Sequence, residues 1–321
     1  MIEIQHLTKL YGLVIGVNDL ELSLPVGAYG LLGPNGSGKT TLINLITGQL
    51  KPTTGSIRVF NENPWNHAPL LRRLGYCPAL DPAQWNVSSL EWVQYLLELT
   101  QYSRSEARQR AESALVQAGL KDSMTRPIHT YSLGMRQRVK LAQSLAHDPD
   151  WLILDEPFNG LDPTGRHAMT QVLRKWVADG KSLLLASHVL HEVEAISPSF
   201  LLLYGGRLLA TGSSSEIAQS LKNVVGEIVI RGERLELLTP HLAQDENVLS
   251  LQFSDQRKKL SLTVRSTSEF HERLQGWLTD SSIRIEALES PDRSLNTLFR
   301  TLMKMHRGES VSGTPLSSSA S

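Results

Sequence analysis

Gly33-Pro34-Asn35-Gly36-Ser37-Gly38-Lys39-Thr40 carries the spacing G-x-x-x-x-G-K-[ST]. Successive backbone N–H groups in such a loop open onto a helix N-terminus and form a cage for anionic phosphates. Gly33, Gly36 and Gly38 supply the positive-φ turns and the close backbone approach that the cage needs, with Pro34, Asn35 and Ser37 filling the turn between them. Lys39 is then placed to reach β- and γ-phosphates, and the Thr40 hydroxyl to ligate Mg²⁺. Ala28-Tyr29-Gly30-Leu31-Leu32 before the loop reads as a short buried strand. Thr41-Leu42-Ile43-Asn44-Leu45-Ile46 after it reads as a helix, with Gly48 near its end. The loop predicts an α/β fold and a bound nucleotide, but not what the nucleotide is used for.

The 321 residues suffice for two domains. Thirty-two basic residues balance 32 acidic ones, so no bulk field steers the chain onto nucleic acid or anionic lipid. Cys77 is the single cysteine, which excludes an intrachain disulfide and suits a reducing compartment. The N-terminus alternates like a strand and has no secretory apolar core. Apolar runs such as Phe200-Leu201-Leu202-Leu203-Tyr204 are strand-length, far below the roughly 18 residues of a membrane helix. The chain is therefore expected to be soluble by itself.

Residues 1–30 and Gly55-Ser56-Ile57-Arg58-Val59-Phe60 read as short strands. Residues 86–147 change to a helical pattern. Ser88 with Glu91 forms a capping box, Ser103 with Glu106 repeats the spacing, and Gly119 suits a helix end. Parallel-sheet signals return with two continuously apolar runs, 151–154 and 182–186, joined by a crossover helix over 164–179. Gly205-Gly206 then turns one strand into another. Near residue 222 a second pattern begins, with strands at 227–230, 248–253, 260–264 and 283–287 and a helix capped by Ser266 and Glu269. The expected domains are 1–220, with a helical subdomain over 86–147, a small α+β domain over 221–306, and a Ser- and Gly-rich tail over 307–321 expected to be disordered.

Trp151-Leu152-Ile153-Leu154-Asp155-Glu156 ends four apolar residues in two carboxylates. A parallel strand delivers such acids at its carboxyl edge, where ligands bind. Asp155 is expected to hold Mg²⁺ and Glu156 to polarise an attacking water, although two acids at a strand end are by themselves commonly just solvated. In Tyr131-Ser132-Leu133-Gly134-Met135-Arg136-Gln137-Arg138, a Ser and a Gly precede a helix, making a second N-terminus suited to anions.

Taken in this order, the segments resemble the nucleotide-binding subunit of an ATP-binding cassette (ABC) transporter over about residues 1–220. The resemblance implies a P-loop NTPase core with an antiparallel β subdomain and a helical subdomain. It implies that ATP is sandwiched between two cassettes, taken as two copies of this chain, with Ser132 and Gly134 on the γ-phosphate across the interface. It places Tyr11 on the adenine, Thr41 among the phosphate-binding residues, Asp162 in the loop that couples the two sites, and His188 on the γ-phosphate as a switch residue beside the catalytic Glu156. Pro291-Asp292-Arg293-Ser294-Leu295-Asn296-Thr297-Leu298-Phe299 is similar to the terminal helix of the accessory domain in drug, antibiotic and polysaccharide exporters. The implied protein is a Mg²⁺- and ATP-dependent ATPase that powers export. Its implied partner is a separate transmembrane permease holding it on the cytoplasmic face of the membrane, and no nucleic acid is expected.

Two features depart from the common family pattern. The signature is commonly L-S-G-G-Q, and this chain has Tyr131, Leu133 and Met135 at its variable places. The run Gly75-Tyr76-Cys77-Pro78 leads to Ala79 where the family has Gln; either Asp81 or Gln84 substitutes, or metal contact and coupling differ. Trp85 is expected either to dock the permease or to sit in the core. The competing functions are a non-transport ABC ATPase acting on ribosomes or nucleic acid, and a slow, binding-only sensor.

Overall fold

The computed structural model describes residues 1–80, 86–220, 226–278 and 283–289. The chain forms two compact units, Met1–Thr211 and Gly212–Ser321. In chain order the first contains β1 (Ile2–Tyr11), β2 (Val14–Leu24), β3 (Ala28–Leu32), α1 (Lys39–Ile46), β4 (Thr54–Val59), α2 (Ala68–Leu71), β5 (Leu74–Cys77), α3 (Ser89–Leu99), α4 (Arg104–Gln117), α5 (Leu133–Leu145), β6 (Trp151–Asp155), α6 (Pro163–Ala178), β7 (Ser182–Ser187), α7 (Leu190–Glu194), β8 (Ser199–Tyr204) and β9 (Arg207–Gly212).

Six strands form the main sheet in the order β5-β6-β7-β3-β8-β9, and the first five run parallel. Every residue of β6 and β7 is buried, which explains why their sequences show no polar alternation. A second, antiparallel sheet has the order β2-β1-β4. Leu42, Ile43, Leu45 and Ile46 of α1 join one apolar core with Ile2, Ile4 and Leu7 of β1 and with Ile153 and Leu184 of the main sheet. The helix that follows the phosphate loop is thus held by both sheets.

The helical subdomain has its own core, in which Ala107, Ala111, Ala114 and Leu115 of α4 meet Leu90, Val93 and Leu97 of α3 and Val139 and Ala142 of α5. The small alanine face lets the helices approach closely. Arg108–Glu112 and Arg110–Glu106 pairs line its solvent side, worth about 0.3–0.5 kcal/mol each. The Ser88–Glu91 capping box is present in full, Ser103 accepts from the Glu106 N–H, and Gly119 ends α4 at φ 74°.

The second unit contains α8 (Ser214–Ser220), β10 (Gly226–Glu233), α9 (Thr239–Gln244), β11 (Val248–Ser254), β12 (Lys259–Val264), α10 (Thr267–Trp277) and β13 (Arg284–Glu289). Its antiparallel sheet has the order β11-β12-β10-β13. Ile228, Ile230, Leu260, Leu262, Phe270 and Leu274 form its core with Leu235, Leu238 and Leu242. The helical stretch that supplies those last three leucines has no counterpart among the sequence expectations, nor does strand β5. The 291–299 segment and the 307–321 tail lie outside the described residues, as do Asp81, Gln84 and Trp85. Among the described residues, no helix is long and apolar enough to cross a membrane.

Candidate functional site

Sheet register sets the site. Leu32, the last residue of β3, pairs with Ser187, the last of β7, and Asp155 at the end of β6 pairs with Ala186. Three strand ends therefore meet at one carboxyl edge. From it leave the loop before Lys39, the turn at Glu156 and the turn at His188.

Two glycines in the loop are required by contact; of the two only Gly38 also needs a positive φ, so Gly33 does not supply the left-handed turn expected of it and serves close approach alone. A Cβ on Gly33 would strike the Leu203 carbonyl and the Ser37 side chain. Gly38 sits at φ 104°, where a Cβ would collide with the Gly16 carbonyl oxygen. Gly36 has φ 79°. No side chain caps α1, so its first N–H groups face the loop and remain available to an anion. Lys39 is almost fully buried, and its ammonium donates to the carbonyls of Gly33 at 2.7 Å and Pro34 at 3.3 Å.

Contacts connect the loop to the acids and then to histidine. The Thr40 hydroxyl donates to Asp155 Oδ2 at 2.7 Å. Lys39 Nζ lies 3.5 Å from Glu156 Oε1, an electrostatic contact and not a hydrogen bond, since that oxygen has no hydrogen-bond partner. Glu156 Oε2 lies 2.9 Å from His188 Nδ1. Glu156 also adopts φ 51°, a left-handed conformation uncommon for a side chain of its kind, with its N–H held by the Ala186 carbonyl at 2.9 Å.

Asp155 is 1% exposed and one of its oxygens, Oδ1, has no partner. Burial pushes its carboxyl above the usual range, and the Thr40 hydrogen bond only partly opposes this. A buried carboxylate beside a hydroxyl, with an oxygen free to coordinate, fits a hard divalent cation.

Tyr11 is half exposed at the end of β1, its hydroxyl 3.5 Å from the Thr41 hydroxyl. Ser132 caps α5 by accepting from the Met135 N–H at 3.2 Å, and Gly134 lies beside Gly160 and Leu161. Among the described residues no hydrogen bond joins Ser132 to the phosphate loop. Tyr131, at one of the departures from the common signature, is buried and donates its hydroxyl proton to the Ser123 carbonyl. Asp162 caps α6 by accepting from the Gly165 N–H at 2.9 Å. Ala79 is exposed and offers no side-chain ligand.

A network absent from the sequence expectations supports the histidine turn. Arg166 donates to Glu192 at 2.8 Å and to the Leu161 carbonyl at 3.2 Å. Ser187 donates to the other Glu192 oxygen at 3.3 Å and accepts from the Val189 N–H at 3.0 Å. No local spacing signals this network, because Arg166 and Glu192 lie 26 residues apart in the chain.

Residues 17–159 match the family model described as ABC transporter. The chain is 35% identical over 222 residues to the Nod factor export ATP-binding protein I of Cupriavidus pinatubonensis, covering 68% of each chain. It is 33% identical over 273 residues to the daunorubicin/doxorubicin resistance ATP-binding protein of Streptomyces peucetius, covering 80% of this chain and 82% of that one. Among solved structures, an ATP-binding subunit of an ABC transporter is similar with 26% identity and a TM-score of 0.63, over 69% of this chain and 93% of that chain. An ATP-binding cassette in a dimeric post-hydrolysis state, bound to ADP and Pi, matches with 25% identity and a TM-score of 0.60, over 66% of this chain and 98% of that chain. With its phosphate loop, acidic strand end and histidine turn converging on one sheet edge, the chain belongs to the ATP-binding proteins of the ABC transporter family.

Proposed function

We propose that the chain hydrolyses ATP to ADP and phosphate and that this reaction drives a membrane exporter. The observation that carries the reading is the contact series Thr40–Asp155, Lys39–Glu156 and Glu156–His188 at the carboxyl edge of the sheet. Loop N–H groups, Lys39 and Thr41 bind the phosphates, and Tyr11 stacks on the adenine. Thr40 and Asp155 hold Mg²⁺, which when bound neutralises charge on the phosphate oxygens. Glu156 takes a proton from the attacking water as that water's oxygen bonds to the γ-phosphorus and the bond to ADP breaks. His188 orients Glu156 and contacts the same phosphate.

Ser132 and Gly134 serve a second copy, closing over its ATP. Two observations support this: Ser132 and Leu133 are exposed, and Ser132 bonds within its own helix. The export direction and the permease partner rest on the relatives, whose names describe export and drug resistance. The permease would hold the chain on the cytoplasmic membrane face, with 1–220 as the ATPase domain and 221–306 as its accessory domain. The non-transport reading finds no support among these relatives.

Glu156→Gln tests the reading. It should retain ATP binding, lower turnover by about 10²-fold or more and accumulate a nucleotide-bound dimer on size-exclusion chromatography. Turnover near that of the parent chain would remove Glu156 from the role of base.

A further inference from the structure

Val139-Lys140-Leu141-Ala142 places a cation in the middle of the buried face of α5. Lys140 is only 3% exposed. An ammonium group out of water is costly unless its donors are met. Here Lys140 Nζ donates to three successive carbonyls, those of Pro78 at 2.9 Å, Ala79 at 3.2 Å and Leu80 at 3.2 Å. These carbonyls belong to the backbone leaving β5. Since Cys77 pairs with Leu154, that backbone departs beside Asp155.

Farther along, α5 and the turn after it meet β5 at two more points. The Gly75 backbone lies so close to the Ser144 carbonyl that a Cβ would collide with it. His147 Nε2 lies 3.1 Å from the Leu74 carbonyl. Both points are at the end of α5 remote from Ser132. Lys140 lies eight residues after Ser132, about 12 Å along the helix axis, and is the attachment nearest to it of the three. Without the Lys140 contact the helix would keep its anchor near Ser144 and its packing on α3, α4 and Gly160-Leu161, but its Ser132 half would lose its bonded tie to the backbone after β5.

We propose that Lys140 is a positioning residue: its buried ammonium clamps the backbone after β5 and so fixes the helix bearing Ser132 and Gly134 against the sheet edge bearing Asp155. The catalytic part of this proposal rests on the reading that Ser132 serves the ATP of a second copy. Ala79 gains a role through its main chain that its side chain cannot have. The positive charge also lies close enough to Asp155 to favour its ionised form.

The test compares the full chain with Lys140→Met, which keeps length but removes charge and donors. Amide hydrogen exchange is read at Ala79, Leu80 and residues 133–136, together with affinity for a fluorescent ATP analogue and steady-state ATPase. The variant should exchange about 10-fold faster at both segments and bind the analogue within about twofold of the parent chain. Its kcat should fall about 10-fold with little change in KM. If Lys140→Met fails to fold, Lys140→Gln, which keeps two donors without charge, is read in the same way with a smaller expected effect. Unchanged exchange at either segment, or faster exchange with unchanged kcat, would overturn the proposal. Loss of analogue binding in parallel with kcat would also overturn it, because a general structural role predicts that pattern. A parent chain without ATPase activity refutes the proposed function instead, and the clamp then stands or falls on hydrogen exchange alone.

Discussion

Asp155→Asn should make the nucleotide-free protein more stable while abolishing its metal-dependent activity. Asp155 is 1% exposed, with Oδ2 bonded to Thr40 and Oδ1 unpartnered. An unsatisfied buried polar group costs about 1–3 kcal/mol, more when charged. The amide keeps an acceptor for Thr40 but still buries a polar group, so the expected net gain is about 1–2 kcal/mol. For a unit the size of Met1–Thr211 this raises Tm by about 2–8 °C. The pH dependence follows from the raised carboxyl of folded Asp155. Between the unfolded and folded pKa values the folded state holds more protons, so stability falls as pH rises across that window. Above the folded value the penalty is complete. The variant's advantage should therefore be largest above the folded value, shrink as pH falls through the window and vanish below the unfolded value of about 3.9. Saturating nucleotide and Mg²⁺ should reverse the order, because ligand at 100 times its Kd adds about 2.7 kcal/mol to the parent chain. Differential scanning fluorimetry across pH, with and without Mg²⁺ and ATP, reads both effects on the nucleotide-sensitive transition. Equal or lower stability of the metal-free variant at pH 7 would refute the view that Asp155 is a buried charge only partly compensated by its neighbours.

Gly38→Ala should cost at least about 1–3 kcal/mol of stability, from the φ of 104° and the collision with Gly16, and should reduce binding of a fluorescent ATP analogue below detection. Thermal unfolding and titration with that analogue check both parts. Tyr11→Ala should weaken ATP binding about 5–10-fold while leaving Tm nearly unchanged, because the ring is half exposed. Tyr11→Phe, which keeps the ring, should bind normally, and a loss there would assign the effect to the hydroxyl near Thr41.

The phosphate loop and the apolar run ending at Asp155 were legible because each is contiguous: spacing alone encodes the loop, and continuous hydrophobicity encodes a strand covered on both faces. His188 was legible for the same reason, following a buried strand directly. β5 escaped notice because it has only four residues, one of them a glycine, and borrows its definition from pairing with β6. The helical stretch at 235–244 was missed because Pro240 interrupts its sequence and one turn of it is a 3₁₀ helix. Arg166 with Glu192, and Lys140 with three main-chain carbonyls, are invisible to local pattern because their partners lie 26 and 60 to 62 residues away. In a helix read alone, lysine is assigned to solvent; only the packed sheet shows that Lys140 faces inward.

The position of β3 has a consequence during synthesis. Ala28 pairs with Leu183 and Tyr29 with Ser199, so the strand leading into the phosphate loop lies between two strands made late, with only β9 of its sheet made after them. At about 5–20 residues per second, the 155 residues separating Ala28 from Leu183 delay this pairing by on the order of 10–30 s. Throughout that interval Ala28-Tyr29-Gly30-Leu31-Leu32 has neither flanking strand. A ribosome that stalls before Tyr204 therefore leaves a chain whose apolar β3 is unpaired on at least one edge and whose phosphate cage is incomplete. Such truncated products are expected to depend on chaperones or to aggregate, and the protein acquires its ligand only after the last strands of the sheet emerge.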